Sequence, residues 1–204
     1  MTQGGTGLYD DAADVPERVR RAVDAARALD FDLCVHPATG RLLAVLAAGT
    51  PVDGRIGETG TGTGAGLAWM VEAAPGRSFV SVERDPARAA AAREVFADLP
   101  NVEIVTGDAG LLFDRGPFDL LVHDGGWGAG KTDDRRVDPT VVLTANGVMT
   151  IDDLTPMTTW PPTFAGRPDV ARTAWLADDR LLTTEVTVAP GMAVLVMRRK
   201  PPVG

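Results

Sequence analysis

The chain has 204 residues, 45% of them hydrophobic, which is enough for one domain with a full core. A formal net charge of −8 argues against a nucleic-acid partner, because polyanion binders present a basic face, although a small anionic cofactor stays admissible. The single cysteine, Cys34, excludes an internal disulfide and fits a reducing, cytoplasmic setting; no signal pattern opens the chain and no apolar run is long enough to span a membrane.

Residues 1–12 read as a flexible N-terminus and residues 13–204 as a single domain. Asp14 and Glu17 have the spacing of a capping box, with Pro16 tolerated in the first turn, and the helix continues through VRRAVDAARAL. GRLLAVLAAG is a second, apolar helix closed by Gly49. From there strand and helix signals alternate. RIGE (55–58) is a short strand, followed by a glycine loop and the helix GLAWMVEAA. FVSVE (79–83) is a strand, and Asp85-Pro86 opens the helix ARAAAAREVFADL. VEIVTG (102–107) is a strand with a short helical turn after it, and FDLLVHD (118–124) is the next strand. Asp138-Pro139 opens a helix TVVLTAN, ended by Asn146-Gly147, and VMTIDD (148–153) is a strand. A proline-rich loop with Trp160 leads to a helix around DVARTAWLA. LLTTEVTV and MAVLVMRR then form a hairpin about Ala189-Pro190-Gly191.

This alternation predicts an α/β fold: a doubly wound, mostly parallel sheet with helices on both faces and a C-terminal antiparallel hairpin. Ligands of such sheets bind at the carboxyl ends of the strands, so the residues just after each strand matter most. ETGTGTGAG (58–66) lies between the first strand and its helix. Gly60, Gly62 and Gly64 remove side chains where the backbone must turn tightly and approach a ligand, and the helix N-terminus offers free N–H groups. Gly60-x-Gly62-x-x-Ala65 also satisfies the dinucleotide pattern G-x-G-x-x-G/A, so the loop alone leaves a nicotinamide-dependent oxidoreductase open.

Three further features tilt the reading. Glu58 stands two residues before the first glycine, Glu83 ends the second strand, and Gly107-Asp108-Ala109 follows the third. Together these resemble the class I S-adenosylmethionine (SAM) methyltransferases, and within them the catechol-O-methyltransferase-like family of small bacterial O-methyltransferases, over residues 33 to 199. The resemblance implies a seven-stranded, Rossmann-like sheet and N-terminal lid helices. It implies SAM contacts at Val35, Glu58, Gly60, Thr61, Gly62, Gly64, Glu83, Arg84, Gly107, Asp108, Ala109 and Asp124. It also implies a divalent metal, Mg2+ or else Mn2+ or Ca2+, held by Asp124, Asp152 and Asp153. The acid pair Asp152-Asp153 also reads as a solvated turn or a helix cap. The activity implied is methyl transfer to a hydroxyl of a small, aromatic molecule, with a homodimer on family analogy alone. A catalytically inactive SAM-binding protein is the non-enzymatic alternative.

GGWGAGKT (125–132) matches G-x-x-x-x-G-K-S/T, the phosphate loop of nucleotide hydrolases. A phosphate loop needs a helix starting at its Lys-Thr, yet DDRRVDP follows, with like charge beside the phosphates and one apolar residue before Pro139. The segment reads instead as a glycine-rich loop beside the site, with Asp124 at its start. Lys131 is the candidate general base, although the family's usual base position, three residues after the acid, holds Trp127 here.

Overall fold

The computed structural model describes residues 5–124 and 136–201. Strands β1 (Arg55–Thr59), β2 (Ser78–Glu83), β3 (Val102–Thr106), β4 (Phe118–His123) and β5 (Leu143–Leu154) pair in parallel. A small ribbon, β6 (Thr163–Phe164) and β7 (Arg167–Pro168), stands apart from the sheet. The hairpin of β8 (Leu181–Ala189) and β9 (Met192–Arg199) closes the edge antiparallel to β5, giving seven strands in the order β3-β2-β1-β4-β5-β9-β8. The order reverses direction at β1, where a doubly wound sheet opens its ligand crevice.

Helices α1 (Glu17–Ala28), α2 (Pro37–Ala48), α3 (Ala65–Ala73) and α4 (Pro86–Val95) bury Val19, Leu43, Met70 and Ala92 against one face of the sheet. Helices α5 (Gly110–Phe113), α6 (Pro139–Val142) and α7 (Val170–Leu176) bury Leu112, Val142 and Trp175 against the other. Strand alternation assigns the side chains to these two cores. Ile56, Phe79 and Leu120 belong to the first core, whereas Val80, Leu121 and Met149 belong to the second. Two residues further along each strand, that parity carries Glu58, Ser81 and Val122 onto the α1–α4 face, and two more along β2 it carries Glu83, near the carboxyl ends.

Two expected elements differ. The capping box of Asp14 and Glu17 does not form: Asp14 has φ 54°, and Pro16 occupies the N-cap without a side-chain cap. Proline disfavours helical backbone at Val15, so the helix cannot begin at Asp14. The helix TVVLTAN is helical only over Pro139–Val142, and β5 begins at Leu143. Further along β5, the β-branched Val148 and Thr150 pair with Leu120 and Val122 of β4. Phe118 pairs with Leu143 and Leu120 with Val148, so residues 144–147 arch opposite Asp119, whose carboxylate accepts from Thr144 Oγ1 at 3.0 Å and from the Arg55 N–H at 2.8 Å. A Cβ at Gly147 would lie 2.6 Å from the Phe118 carbonyl oxygen, so the arch requires glycine there.

Of the segment 1–12, residues 5–12 are described and carry contacts. Tyr9 is buried, donates to the Val35 carbonyl at 2.8 Å and accepts from Trp69 Nε1 at 3.3 Å. Thr6 donates to the Asp32 carboxylate at 2.6 Å. No described helix is long and apolar enough to cross a membrane.

Candidate functional site

The loop after β1 turns through three glycines with positive φ, Gly60 (81°), Gly62 (56°) and Gly64 (98°), a backbone that side chains resist. Gly60 N–H bonds the Val82 carbonyl, and Thr63 Oγ1 donates to Ala22 O at 2.7 Å, fastening the loop to α1. Gly64 is the N-cap of α3, and a Cβ there would press on Phe96, so its part is to seat the helix. Above the loop lies a cleft walled by Phe31, Leu33, Cys34 and Val35 from the segment joining α1 and α2 and floored by Glu58, Gly60, Thr61, Gly62 and Val122.

Glu58 is 4% exposed. Its Oε2 accepts from Ser81 Oγ at 2.6 Å, and Ser81 also bonds Thr61. Burial pushes the Glu58 carboxyl up to about 8; the Ser81 hydrogen bond opposes that, and the neighbouring charges of Asp124, Asp152 and Glu83 add to it. A Cβ at Gly66 would stand 2.9 Å from Glu58 Oε1, so glycine in the first turn of α3 makes room for this carboxyl.

Glu83, at 3% exposure, is saturated on one oxygen. Oε1 accepts from the Asp85 N–H at 2.8 Å and from Arg88 at 2.9 and 3.2 Å, while Oε2 accepts from the Gly62 N–H at 2.8 Å. The acid after β2 is therefore tied directly to the glycine loop.

Asp124 and Asp152 also line the cleft. Val122 pairs with Thr150, so the two aspartates stand level, two residues further along neighbouring strands. Strict alternation would turn Asp153 to the opposite face. A bulge prevents this: Ile151 pairs with Leu195 and Leu154 with Ala193, leaving one extra residue on β5. Asp153 sits in that bulge with φ 56°, a conformation aspartate tolerates better than most residues. One carboxylate oxygen from each of Asp124, Asp152 and Asp153 lies within 4.8 Å of the others. An all-oxygen donor set this close suits a hard divalent cation, which would also relieve the mutual repulsion.

The remaining expected residues lie around this centre. Val35 walls the cleft. Arg84 and Asp108 are exposed; Asp108 Oδ1 accepts from the Gly110 N–H at 3.0 Å, and Gly107 N–H bonds the Glu83 carbonyl. Ala109 is buried. Arg84, Gly107, Asp108 and Ala109 stand at the ends of β2 and β3, beyond the cleft lining. Lys131 and Trp127 fall outside the described residues. Residues 136–138 are not helical and α6 has four residues, so no phosphate-loop helix continues past residue 135. Phe31, Leu33, Ser81 and Arg88 were not among the sequence-derived site residues. Serine in an apolar strand was the one available signal for Ser81; the other three depend on packing between segments distant in sequence.

No protein-family model matches the chain, and no curated protein does. Solved structures do. The chain is similar to cofactor-bound Rv0187 from MTB, at 19% identity and TM-score 0.75, covering 99% of this chain and 100% of that one. It is similar to the O-methyltransferase TomG from Streptomyces achromogenes, involved in tomaymycin synthesis and solved with SAM, at 19% identity and TM-score 0.72, covering 98% and 100%. It is also similar to an O-methyltransferase from Bacillus cereus solved with SAH, at 18% identity and TM-score 0.72, covering 96% of each chain. At these identities the likeness is one of fold. The chain has the Rossmann-like methyltransferase fold, with its mostly parallel seven-stranded sheet and C-terminal antiparallel hairpin.

Proposed function

We propose that this protein is a SAM-dependent O-methyltransferase that methylates a hydroxyl of a small, aromatic molecule, with a divalent cation at Asp124, Asp152 and Asp153. The observation that carries the reading is the convergence of those three carboxylates, within 4.8 Å, at the edge of a cleft floored by the glycine loop. A dinucleotide oxidoreductase has no need of that triad, and the antiparallel β9 stands where its fold would continue with further βαβ units.

When bound, SAM supplies an electrophilic methyl on a sulfonium, and a cation at the aspartates lowers the pKa of an acceptor hydroxyl. The chain's own part is to hold two reactants in line. The glycine loop allows close backbone approach, Glu83 Oε2 faces that loop as an acceptor for ribose hydroxyls, and Asp124 joins the cofactor cleft to the triad. Positioning of this kind accounts for much of the rate of a two-substrate reaction. Lys131 is proposed to take the acceptor proton. The proposal includes a cytoplasmic setting, a small-molecule acceptor rather than nucleic acid or membrane, and a homodimer by resemblance.

Mass spectrometry of small molecules released from the purified protein tests the cofactor, with SAM or SAH expected. Methyl transfer to a panel of catechols and phenols tests the metal. Loss with EDTA and recovery with magnesium is expected; full activity after exhaustive chelation would remove the metal from the proposal.

A further inference from the structure

Glu83 is asymmetrically engaged. Its Oε1, on the α4 side, takes the Asp85 N–H and both prongs of Arg88, at 2.9 and 3.2 Å. Among the described residues its Oε2, on the loop side, takes the Gly62 N–H alone, which leaves that oxygen a further lone pair. Arg88 makes a second contact: its guanidinium carbon lies 4.6 Å from the centre of the Phe31 ring, within cation–π range. That ring walls the cleft and rests on the loop, since a Cβ at Gly62 would stand 2.9 Å from Phe31 Cε1. One side chain of α4 therefore fixes both the acid after β2 and an aromatic wall contributed by the α1–α2 connection. With Oε1 held by Arg88 and the Asp85 N–H on one side and Oε2 by the Gly62 N–H on the other, the carboxylate is anchored at both oxygens and its rotation is set.

We propose that Arg88 is a positioning residue for the ribose of the bound nucleoside: it holds Glu83 with Oε2 presented to the loop side and steadies Phe31 against the glycine loop. This rests on the cofactor reading above and adds a determinant of selectivity for ribose hydroxyls. Lysine at 88 would keep the charge but lose the fork and the flat stacking surface.

The test is calorimetry on the full chain with two probes, SAH and its 2′-deoxy analogue. Wild-type protein is expected to favour SAH by roughly tenfold or more, the scale of one hydrogen bond to a charged acceptor. Arg88→Ala weakens SAH and compresses that ratio toward one, and Arg88→Lys gives an intermediate ratio. Phe31→Leu weakens both ligands by the same factor. A purely structural role for Arg88 would lower both affinities together and leave the ratio intact, and that result overturns the proposal. If Arg88→Ala does not fold, the ratio in Arg88→Lys decides in the same way. Absence of SAH binding by wild-type protein overturns the cofactor reading and this inference with it; SAH binding with an unchanged ratio in the variants overturns this inference alone.

Discussion

The Ser81 hydroxyl donates a 2.6 Å hydrogen bond to Oε2 of Glu58, across neighbouring strands and below the glycine loop. It is a single neutral donor to a carboxyl that is otherwise deeply buried, and it does not offset the loss of water, so the carboxyl is raised from 4.5 to about 8.

The pH dependence of stability follows. Between the unfolded value of 4.5 and the folded value of about 8, the native protein holds a proton that the unfolded chain has released. The stabilisation is fully present below the unfolded value and is lost as pH rises through the folded one. Urea denaturation of metal-free protein at pH 5, 6.5 and 8 is expected to show falling stability, at up to about 1.4 kcal/mol per pH unit from this group. Glu58→Gln should flatten the slope, and an equal slope in that variant would show that Glu58 is not its source.

Asp153 carries a conformational cost. Left-handed backbone costs an ordinary residue about 1 kcal/mol or more, and glycine avoids it. Asp153→Gly is expected to leave metal-free stability unchanged or raised by up to about 1 kcal/mol, and to lack the rise in melting temperature on adding magnesium that the proposed metal site predicts for the wild type. A magnesium shift that survives in this variant would remove Asp153 from the ligand set.

Arg172, at 3% exposure, pairs with Asp169 and Glu185 at 3.0 Å each and donates to the Thr155 carbonyl at 2.7 Å. Glu185 also accepts from the Met157 N–H at 2.6 Å. This network pins the segment just beyond the aspartate triad to α7 and β8. Arg172→Ala strands two partly buried acids and should cost about 3–5 kcal/mol in urea denaturation. A cost below about 1 kcal/mol would mark the network as solvent-screened, as exposed pairs are.

Gly40 sets helix propensity against packing. In the interior of α2, alanine should gain about 1 kcal/mol over glycine. A Cβ there, however, would stand 2.3 Å from the Trp69 ring, which is itself held by Tyr9. Overpacking costs about 1–3 kcal/mol, so Gly40→Ala is expected to lower the melting temperature. A raised melting temperature would show that Trp69 moves freely.

The sheet was legible in the sequence because β1 to β4 are short and bounded by turn residues, and the hairpin at Ala189-Pro190-Gly191 announced the reversed β9. The arch at 144–147 was not, because Asn146-Gly147 ends a helix as readily as it bends a strand. The β6–β7 ribbon turns at Ala165 and Gly166, both with positive φ, and Ala165 gives no turn signal. At the site, the glycines and acids after the strands stood out by spacing. The facing of Asp152 and Asp153 did not, since alternation sets them apart and only the bulge on β5 rejoins them. Arg88 was equally hidden, because the rotation of α4 above Glu83 is set by packing rather than by local pattern.

SAM is proposed to bind the cleft above Gly60, Thr61 and Gly62. Titration calorimetry of SAH against the purified protein and its Glu83→Ala variant tests it most directly. One-to-one binding is expected for the wild type, weakened in the variant by about 1.5–3 kcal/mol, the range for hydrogen bonds to a charged group. No SAH binding by wild-type protein that instead binds a nicotinamide dinucleotide or ATP would contradict the account.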